Sequence, residues 1–65
     1  MDMTLADRMI YFRAANKLTQ RALAELVGVS VITINSVENG TEPSKITRAK
    51  IELVIGDNGA DTKRI

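Results

Sequence analysis

The sequence predicts an all-α fold: a compact bundle of four short helices, with a five-helix bundle as the alternative. Apolar residues recur at intervals of three and four, which is the spacing of one helix face. A hydroxyl residue whose oxygen can cap a helix precedes each apolar run, and these residues are Thr4, Thr19, Ser30 and Ser44. Three of the runs end at a glycine, which reaches the left-handed conformation without steric cost.

Size and composition limit what the chain can be. Its 65 residues suffice for one domain with a small core, and a hydrophobic content of 45% is typical of a globular chain. The absence of Cys and His disfavours disulfides, thiolate or imidazole metal sites and imidazole catalysis. Because there is also no glycine-rich phosphate loop and no carboxylate pair in an apolar setting, we expect no enzyme, no metal and no cofactor.

The apolar runs are too short for a membrane protein. None approaches the roughly 20 residues that span a bilayer, and the N-terminus lacks the pattern of a signal peptide. We therefore expect a cytoplasmic protein with no membrane partner. The net charge is only +1, but basic residues flank the third predicted helix, so the surface charge can be polarised.

The first predicted helix runs from its cap at Thr4 to about Ala15. Leu5, Met9 and Phe12 lie at positions i, i+4 and i+7, which places them on one face. We expect this stripe to fill part of the core.

Residues 20–27 and 31–39 are predicted to form two helices joined by a tight turn at Gly28. Each helix has an inward apolar face, made of Leu23, Ala24, Val27, Ile34 and Val37. Helix, glycine-containing turn and helix is the helix-turn-helix layout, in which the second helix lies in the major groove of DNA.

A fourth helix is predicted to start after Pro43 and Ser44 and to end at Gly56. Its expected buried stripe is Ile46, Ala49 and Leu53, broadened by Val54 and Ile55. Residues 57–65 have little apolar content and are expected to form a tail or arm. The predicted DNA-binding domain therefore covers residues 1–56.

The central stretch resembles the phage repressor/Cro-type helix-turn-helix proteins, also called the XRE family. The matching residues are Leu18, Thr19, Gln20, Leu23, Ala24, Gly28, Val29, Ser30, Thr33, Ile34, Glu38, Asn39 and Gly40. The resemblance covers about residues 4–55. It implies a lambda-repressor-like fold and a sequence-specific transcriptional regulator, expected to be a repressor. The implied partner is double-stranded DNA with a palindromic operator, bound by a homodimer.

Base reading is assigned to the residues of the third helix that do not face the core: Val31, Ile32, Asn35 and Ser36. Val31 and Ile32 directly follow the cap, at the helix end that enters the groove, where either could contact a thymine methyl group. The alternative for each is packing back onto the second helix. Asn35 could bond an adenine edge.

Contacts with the DNA backbone are assigned to Gln20, Arg21, Ser30, Thr33, Asn39, Gly40 and Lys45. Gln20 lies at a helix N-terminus, where free N–H groups favour a phosphate, although it could also be a polar residue with no partner. The resemblance implies a backbone clamp at Asn39 and Gly40. It also implies a structural ion pair between Arg13 and Glu38 that ties the first helix to the third.

A protein-interaction module, such as the antitoxin of a toxin–antitoxin pair, is the alternative function. Exposed apolar side chains at Leu26, Val31 and Ile32 would suit a protein partner, and so would the low net charge. Leu26 departs from the family pattern, which commonly has a polar residue there. The missing signal for the family's usual fifth helix leaves the dimer interface open.

Overall fold

The computed structural model describes residues 3–56, and within this range the chain is helical between its turns and loops. The helices are α1, Leu5–Asn16; α2, Gln20–Val27; α3, Val31–Glu38; and α4, Lys45–Ile55. The predicted all-α fold is confirmed. The tail expected at 57–65, and with it any fifth helix, lies outside the described residues. No helix between residues 3 and 56 is both long enough and apolar enough to cross a membrane.

Each helix begins where the sequence predicted a cap. The side-chain oxygens of Thr4, Thr19, Ser30 and Ser44 each accept a hydrogen bond from the backbone N–H three residues later. Lys17 ends α1 with φ of 57°, and two backbone bonds close this end: Lys17 N–H to the Ala14 carbonyl and Leu18 N–H to the Arg13 carbonyl.

The core takes apolar residues from all four helices. Its buried members are Leu5, Met9, Leu23, Ala24, Val27, Ile34, Val37 and Ile51. α2 packs against α3 and α4, and α1 packs against α3 and α4. Met9, Leu23, Ile34 and Ile51 are fully buried, and burial of a side chain of this size contributes about 1.5–3 kcal/mol.

The main stripe predicted for α4 is wrong, whereas the two residues expected to broaden it do pack on the core. Ile46 is 72% exposed and Leu53 is 85% exposed, and Ala49 is exposed as well. The side that packs on the core carries Ile51, which was not predicted, together with the expected Val54 and Ile55. The two stripes lie on different sides of one helix, so the apolar pattern was correct for a helix but assigned to the wrong face.

Charged side chains of α4 form ion pairs with one another and with α1. The Glu52 carboxylate lies 3.3 Å from Arg48 Nε and 3.5 Å from Arg8 Nη1. Arg8 also donates to the Gly56 carbonyl oxygen, and Arg48 Nη1 lies 3.2 Å from Glu42. The long stems of such residues cover apolar surface while their charges pair. Ion pairs as well as apolar packing therefore join α1 to α4.

Candidate nucleic-acid interface

The turn between α2 and α3 is fixed by backbone hydrogen bonds. The N–H groups of Gly28 and Val29 both donate to the Ala24 carbonyl oxygen, at 2.8 and 3.1 Å. Gly28 has φ of 89°, which a residue with a Cβ rarely adopts. The Val29 side chain is half-buried against the core. The start of α3 is therefore held in a defined place after α2, as a helix-turn-helix requires.

Two hydroxyl residues build the first turn of α3. Ser30 Oγ accepts from the Thr33 N–H at 3.1 Å and lies 3.0 Å from Thr33 Oγ1. Both hydroxyls, which were predicted to contact the DNA backbone, thus take part in the cap. Since a hydroxyl can accept and donate at once, the pair still has one O–H hydrogen to give to a phosphate.

The outward side of α3 presents Ile32 and Asn35. Ile32 is 74% exposed, Asn35 is exposed and Ser36 is half-buried. Val31 differs from the expectation for a base reader, because its side chain is half-buried and packs against the core. Val31 lies three residues before the fully buried Ile34 and shares its side of the helix. Of the Val-Ile pair, only Ile32 stands clear of the protein.

An ion pair joins α1 to the last turn of α3. Arg13 Nε and Nη2 donate to the two oxygens of the Glu38 carboxylate, at 2.7 and 2.9 Å. Arg13 Nη1 donates to the Leu18 carbonyl oxygen at 3.1 Å. The Glu38 side chain is only 6% exposed. The pair expected between these residues is present and bidentate, which fixes its geometry.

The surroundings of Glu38 favour its charged form. Burial alone would raise the pKa of this carboxyl group. Hydrogen bonds from Arg13 and Gln20, together with the positive charge of Arg13, outweigh burial and lower the pKa below its ordinary value. The hydrogen bond with Glu38 also raises the pKa of Arg13, against the opposing effect of burial.

The Gln20 side chain forms hydrogen bonds within the chain. The sequence had suggested either a phosphate contact or a polar residue with no partner, and neither interpretation anticipated these bonds. Its side-chain nitrogen donates to Glu38 Oε1 at 3.0 Å and to Asn35 Oδ1 at 3.2 Å. A primary amide has two hydrogens, and these two bonds use both. The side-chain amide of Gln20 therefore has no hydrogen left for a phosphate in this arrangement. A phosphate contact at this position would depend on its backbone N–H.

The backbone at the end of α3 is also occupied. The Asn39 N–H donates to the Asn35 carbonyl oxygen, and the Gly40 N–H donates to the Val37 carbonyl oxygen, both at 3.0 Å. These groups end the helix and do not point at a ligand. The predicted clamp at Asn39 and Gly40 is corrected accordingly: only the exposed Asn39 side chain remains available to a phosphate.

Two basic residues, one in the first turn of α2 and one at the start of α4, are available to an anion. Arg21 and Lys45 are exposed, and neither forms a salt bridge with another residue of the range 3–56. Arg48, which also follows α3 in sequence, instead pairs with Glu42 and Glu52.

Several contacts between side chains were not predicted from the sequence, and two of them show why. The Arg48–Glu52 pair has the i, i+4 spacing of a helical ion pair and could have been found. The bond between Gln20 and Asn35 joins residues 15 apart on different helices, and no periodicity in the sequence indicates it.

Comparison with known proteins gives one match. A protein-family model described as helix-turn-helix matches residues 9–56, which is more than half of the chain. The matched segment begins within α1 and ends after α4, so it contains the turn, α3 and the ion pair described above. No curated protein and no solved structure matched the chain.

Proposed function

The chain belongs to the helix-turn-helix family of the phage repressor/Cro (XRE) type, whose members are DNA-binding domains of transcription regulators, and on this premise we propose that it is a sequence-specific repressor. In the proposed complex α3 lies in the major groove and reads base edges with Ile32, Asn35 and Ser36. Occupancy of a promoter by the protein would then block transcription.

The observation that carries the proposal is the free outward side of α3. Ile34 and Val37 are buried on one side of this helix, whereas Ile32 is 74% exposed on the other. Within residues 3–56, Ile32 belongs neither to the core nor to the apolar side chains that pack against it. Against a base pair, the isoleucine fits the methyl group of thymine and the asparagine can hydrogen-bond a base edge.

Contacts with the sugar-phosphate backbone would position α3 in the groove. We assign them to Arg21, Lys45, the Asn39 side chain and the remaining hydroxyl hydrogen of the Ser30–Thr33 cap. The backbone N–H of Gln20, at the start of α2, is a further donor. These contacts would add affinity that depends on salt but carry little sequence information.

A single module of this size contacts only a few base pairs. We therefore propose a homodimer on a palindromic operator, with half-sites about 34 Å apart, one turn of the duplex. The measurement that tests this part is the stoichiometry on selected duplexes, which should be two chains per palindrome and one per half-site.

The test of base reading compares two isoleucines of nearly equal exposure. Ile32→Ala on α3 should weaken binding to the preferred half-site by about 5-fold to 150-fold, since one base preference is worth about 1–3 kcal/mol. Ile46→Ala on α4, where the isoleucine is 72% exposed, should leave the affinity unchanged. A duplex with a single half-site is used, so that contact between protomers does not enter the result.

Salt dependence separates the proposal from the alternative of a protein-interaction module such as an antitoxin. The exposure of Leu26, at 57%, is the observation that favours that alternative. For a regulator, the logarithm of the affinity for DNA should fall against the logarithm of the salt concentration with a slope of about −0.9 per phosphate contact.

Two outcomes would refute the proposed base reading: absence of binding to any duplex of a random pool, or equal effects of Ile32→Ala and Ile46→Ala on the affinity for DNA.

A further inference from the structure

We propose that two copies of this chain meet through the outer stripe of α4, defined as Ile46, Ala49 and Leu53, with the two α4 helices antiparallel. This inference rests on the proposed function and names the surface through which its homodimer forms on the operator. The sequence had left the dimer interface open.

The outer stripe is apolar, and nothing between residues 3 and 56 covers it. Ile46 is 72% exposed, Leu53 is 85% exposed and Ala49 is exposed as well. Their spacing of i, i+3 and i+7 is that of the contact line between two packed helices. The core covers the opposite side of α4, the side of the fully buried Ile51, so the outer stripe still lacks a partner.

A second copy suits the outer stripe better than the rest of this chain does. Of the nine residues that follow Gly56, only Ala60 and Ile65 have apolar side chains. These two residues offer less apolar surface than the outer stripe itself presents. A second copy brings an identical stripe, and the surface of a two-fold dimer has to be complementary to itself.

The charged residues beside the outer stripe decide the direction of the two helices. By the 3.6-residue repeat, Lys45 and Glu52 lie along one edge of the stripe and Lys50 lies along the other. In a parallel pair, Lys45 would face Lys50 of the partner subunit, which gives two repulsions. In an antiparallel pair, Lys45 faces Glu52 of the partner subunit at both ends of the interface. Only the two copies of Lys50 then repel each other, so the antiparallel pair is favoured.

Glu52 has one carboxylate oxygen left for this contact. The closest approaches of Arg48 and Arg8 are both to Oε2, at 3.3 and 3.5 Å, and no hydrogen bond of residues 3–56 uses Oε1. The Glu52 side chain is 26% exposed, so it is not closed off from a partner. Lys45 carries three ammonium hydrogens and can therefore serve a phosphate as well as the carboxylate.

The interface is too small to hold two copies together in free solution. A stable interface buries about 800 Å² on each partner and involves roughly 20–30 residues a side. Three stripe residues and their charged neighbours offer far less. The two half-sites of a palindrome bring the copies together at an effective concentration on the order of millimolar. We therefore expect a monomer in solution and a dimer on the operator.

Cysteine cross-linking tests the interface and its direction, because the chain has no cysteine of its own. Each full-length variant is bound to a selected palindromic duplex and then oxidised. Ala49→Cys should form a disulfide-linked dimer, since the two copies of residue 49 lie beside the two-fold axis. Leu26→Cys, at a leucine of α2 that is 57% exposed, is the matched control and should form none.

The ends of the outer stripe distinguish the two directions. In the antiparallel pair, like residues at position 46 or 53 are separated by about 10 Å along the helix, which a disulfide does not span. Ile46→Cys and Leu53→Cys should therefore give no disulfide-linked dimer when used singly. A mixture of the two variants should give one, because position 46 of one copy faces position 53 of the other. A disulfide-linked dimer of either variant alone would overturn the antiparallel interface.

Affinity gives an independent test with an unchanged net charge. Leu53→Ala should weaken binding to the palindrome by about tenfold or more, since two leucines lose their burial, and should leave binding to a single half-site unchanged. Leu26→Ala should change neither. Equal effects of the two substitutions on the palindrome would overturn the proposal.

Two further outcomes separate the causes of a failure. If Leu53→Ala instead destabilises the DNA-free protein and leaves the affinity for the palindrome unchanged, the chain itself covers the outer stripe and the proposal is wrong. If no duplex is bound, the proposed function fails and the dimer on the operator fails with it. If the inference alone is wrong, binding to the half-site and the effect of Ile32→Ala remain.

Discussion

The helix pair α2–α3 and the helix α4 differ in how their apolar residues relate to burial. In the pair, the residues predicted to face inward are the buried ones, and Ile34 is fully buried. In α4, Ile51 is fully buried while Leu53, two residues later, is 85% exposed. Apolar spacing identifies both as helices. It fixes the rotation of a helix only where one apolar stripe, and not two, is present.

The largest expected effect on stability comes from comparing a buried and an exposed residue of α4. Ile51→Ala should lower the free energy of unfolding by about 2–5 kcal/mol, because it leaves a cavity in the core. Leu53→Ala should change it by no more than about 0.5 kcal/mol, as is usual for exposed positions. Urea unfolding followed by circular dichroism measures both. Comparable losses in the two variants would mean that α4 is rotated otherwise than described.

The next comparison is between a nearly buried ion pair and an exposed one, and its expected effect on stability is smaller. Glu38→Gln breaks a nearly buried pair and leaves Arg13 without its charged partner, so it should cost about 1–3 kcal/mol. Glu42→Gln removes an exposed partner of Arg48, whose side chain is itself 40% exposed, and should cost about 0–1 kcal/mol. The same unfolding measurement applies. If Glu38→Gln costs no more than Glu42→Gln, the pair between α1 and α3 does not hold the fold.

The smallest expected effect is the dependence of stability on pH. Because the pKa of Glu38 is lowered in the folded chain, its ionisation adds stability above the ordinary glutamate pKa of about 4.3. That contribution is lost as the pH falls through the lower, folded value. The gap in unfolding free energy between the wild type and Glu38→Gln should therefore shrink between pH 7 and pH 3. A gap that stays constant over this range would show that Glu38 is not the titrating group.

Local features of the fold were predictable because they depend on neighbouring residues. The four caps, the glycine turn and the apolar faces of α1, α2 and α3 all follow from residues within one or two helical turns. The Arg13–Glu38 pair was predictable only through the family resemblance, since its partners lie 25 residues apart.

The remaining features depend on which helices become neighbours. Ile46 and Leu53 form a stripe as regular as that of Ile51 and Ile55, and only the packing of α4 on α1 and α2 selects the second. The half-burial of Val31 and the two hydrogen bonds of Gln20 likewise require the crossing of α2 and α3. Sequence spacing carries no information on such contacts.

The chain of hydrogen bonds from Arg13 to Asn35 has a consequence for anyone who sets out to change the target of this protein. A combinatorial library restricted to the exposed positions of α3 would vary those side chains, but hydrogen bonds from residues outside the library would still constrain their orientation. Glu38 and Gln20 would continue to constrain whatever polar group replaces Asn35. Under the proposed function, altered recognition would be reached more efficiently by randomising positions 20 and 35 together while Arg13 and Glu38, whose ion pair joins α1 to α3, are kept.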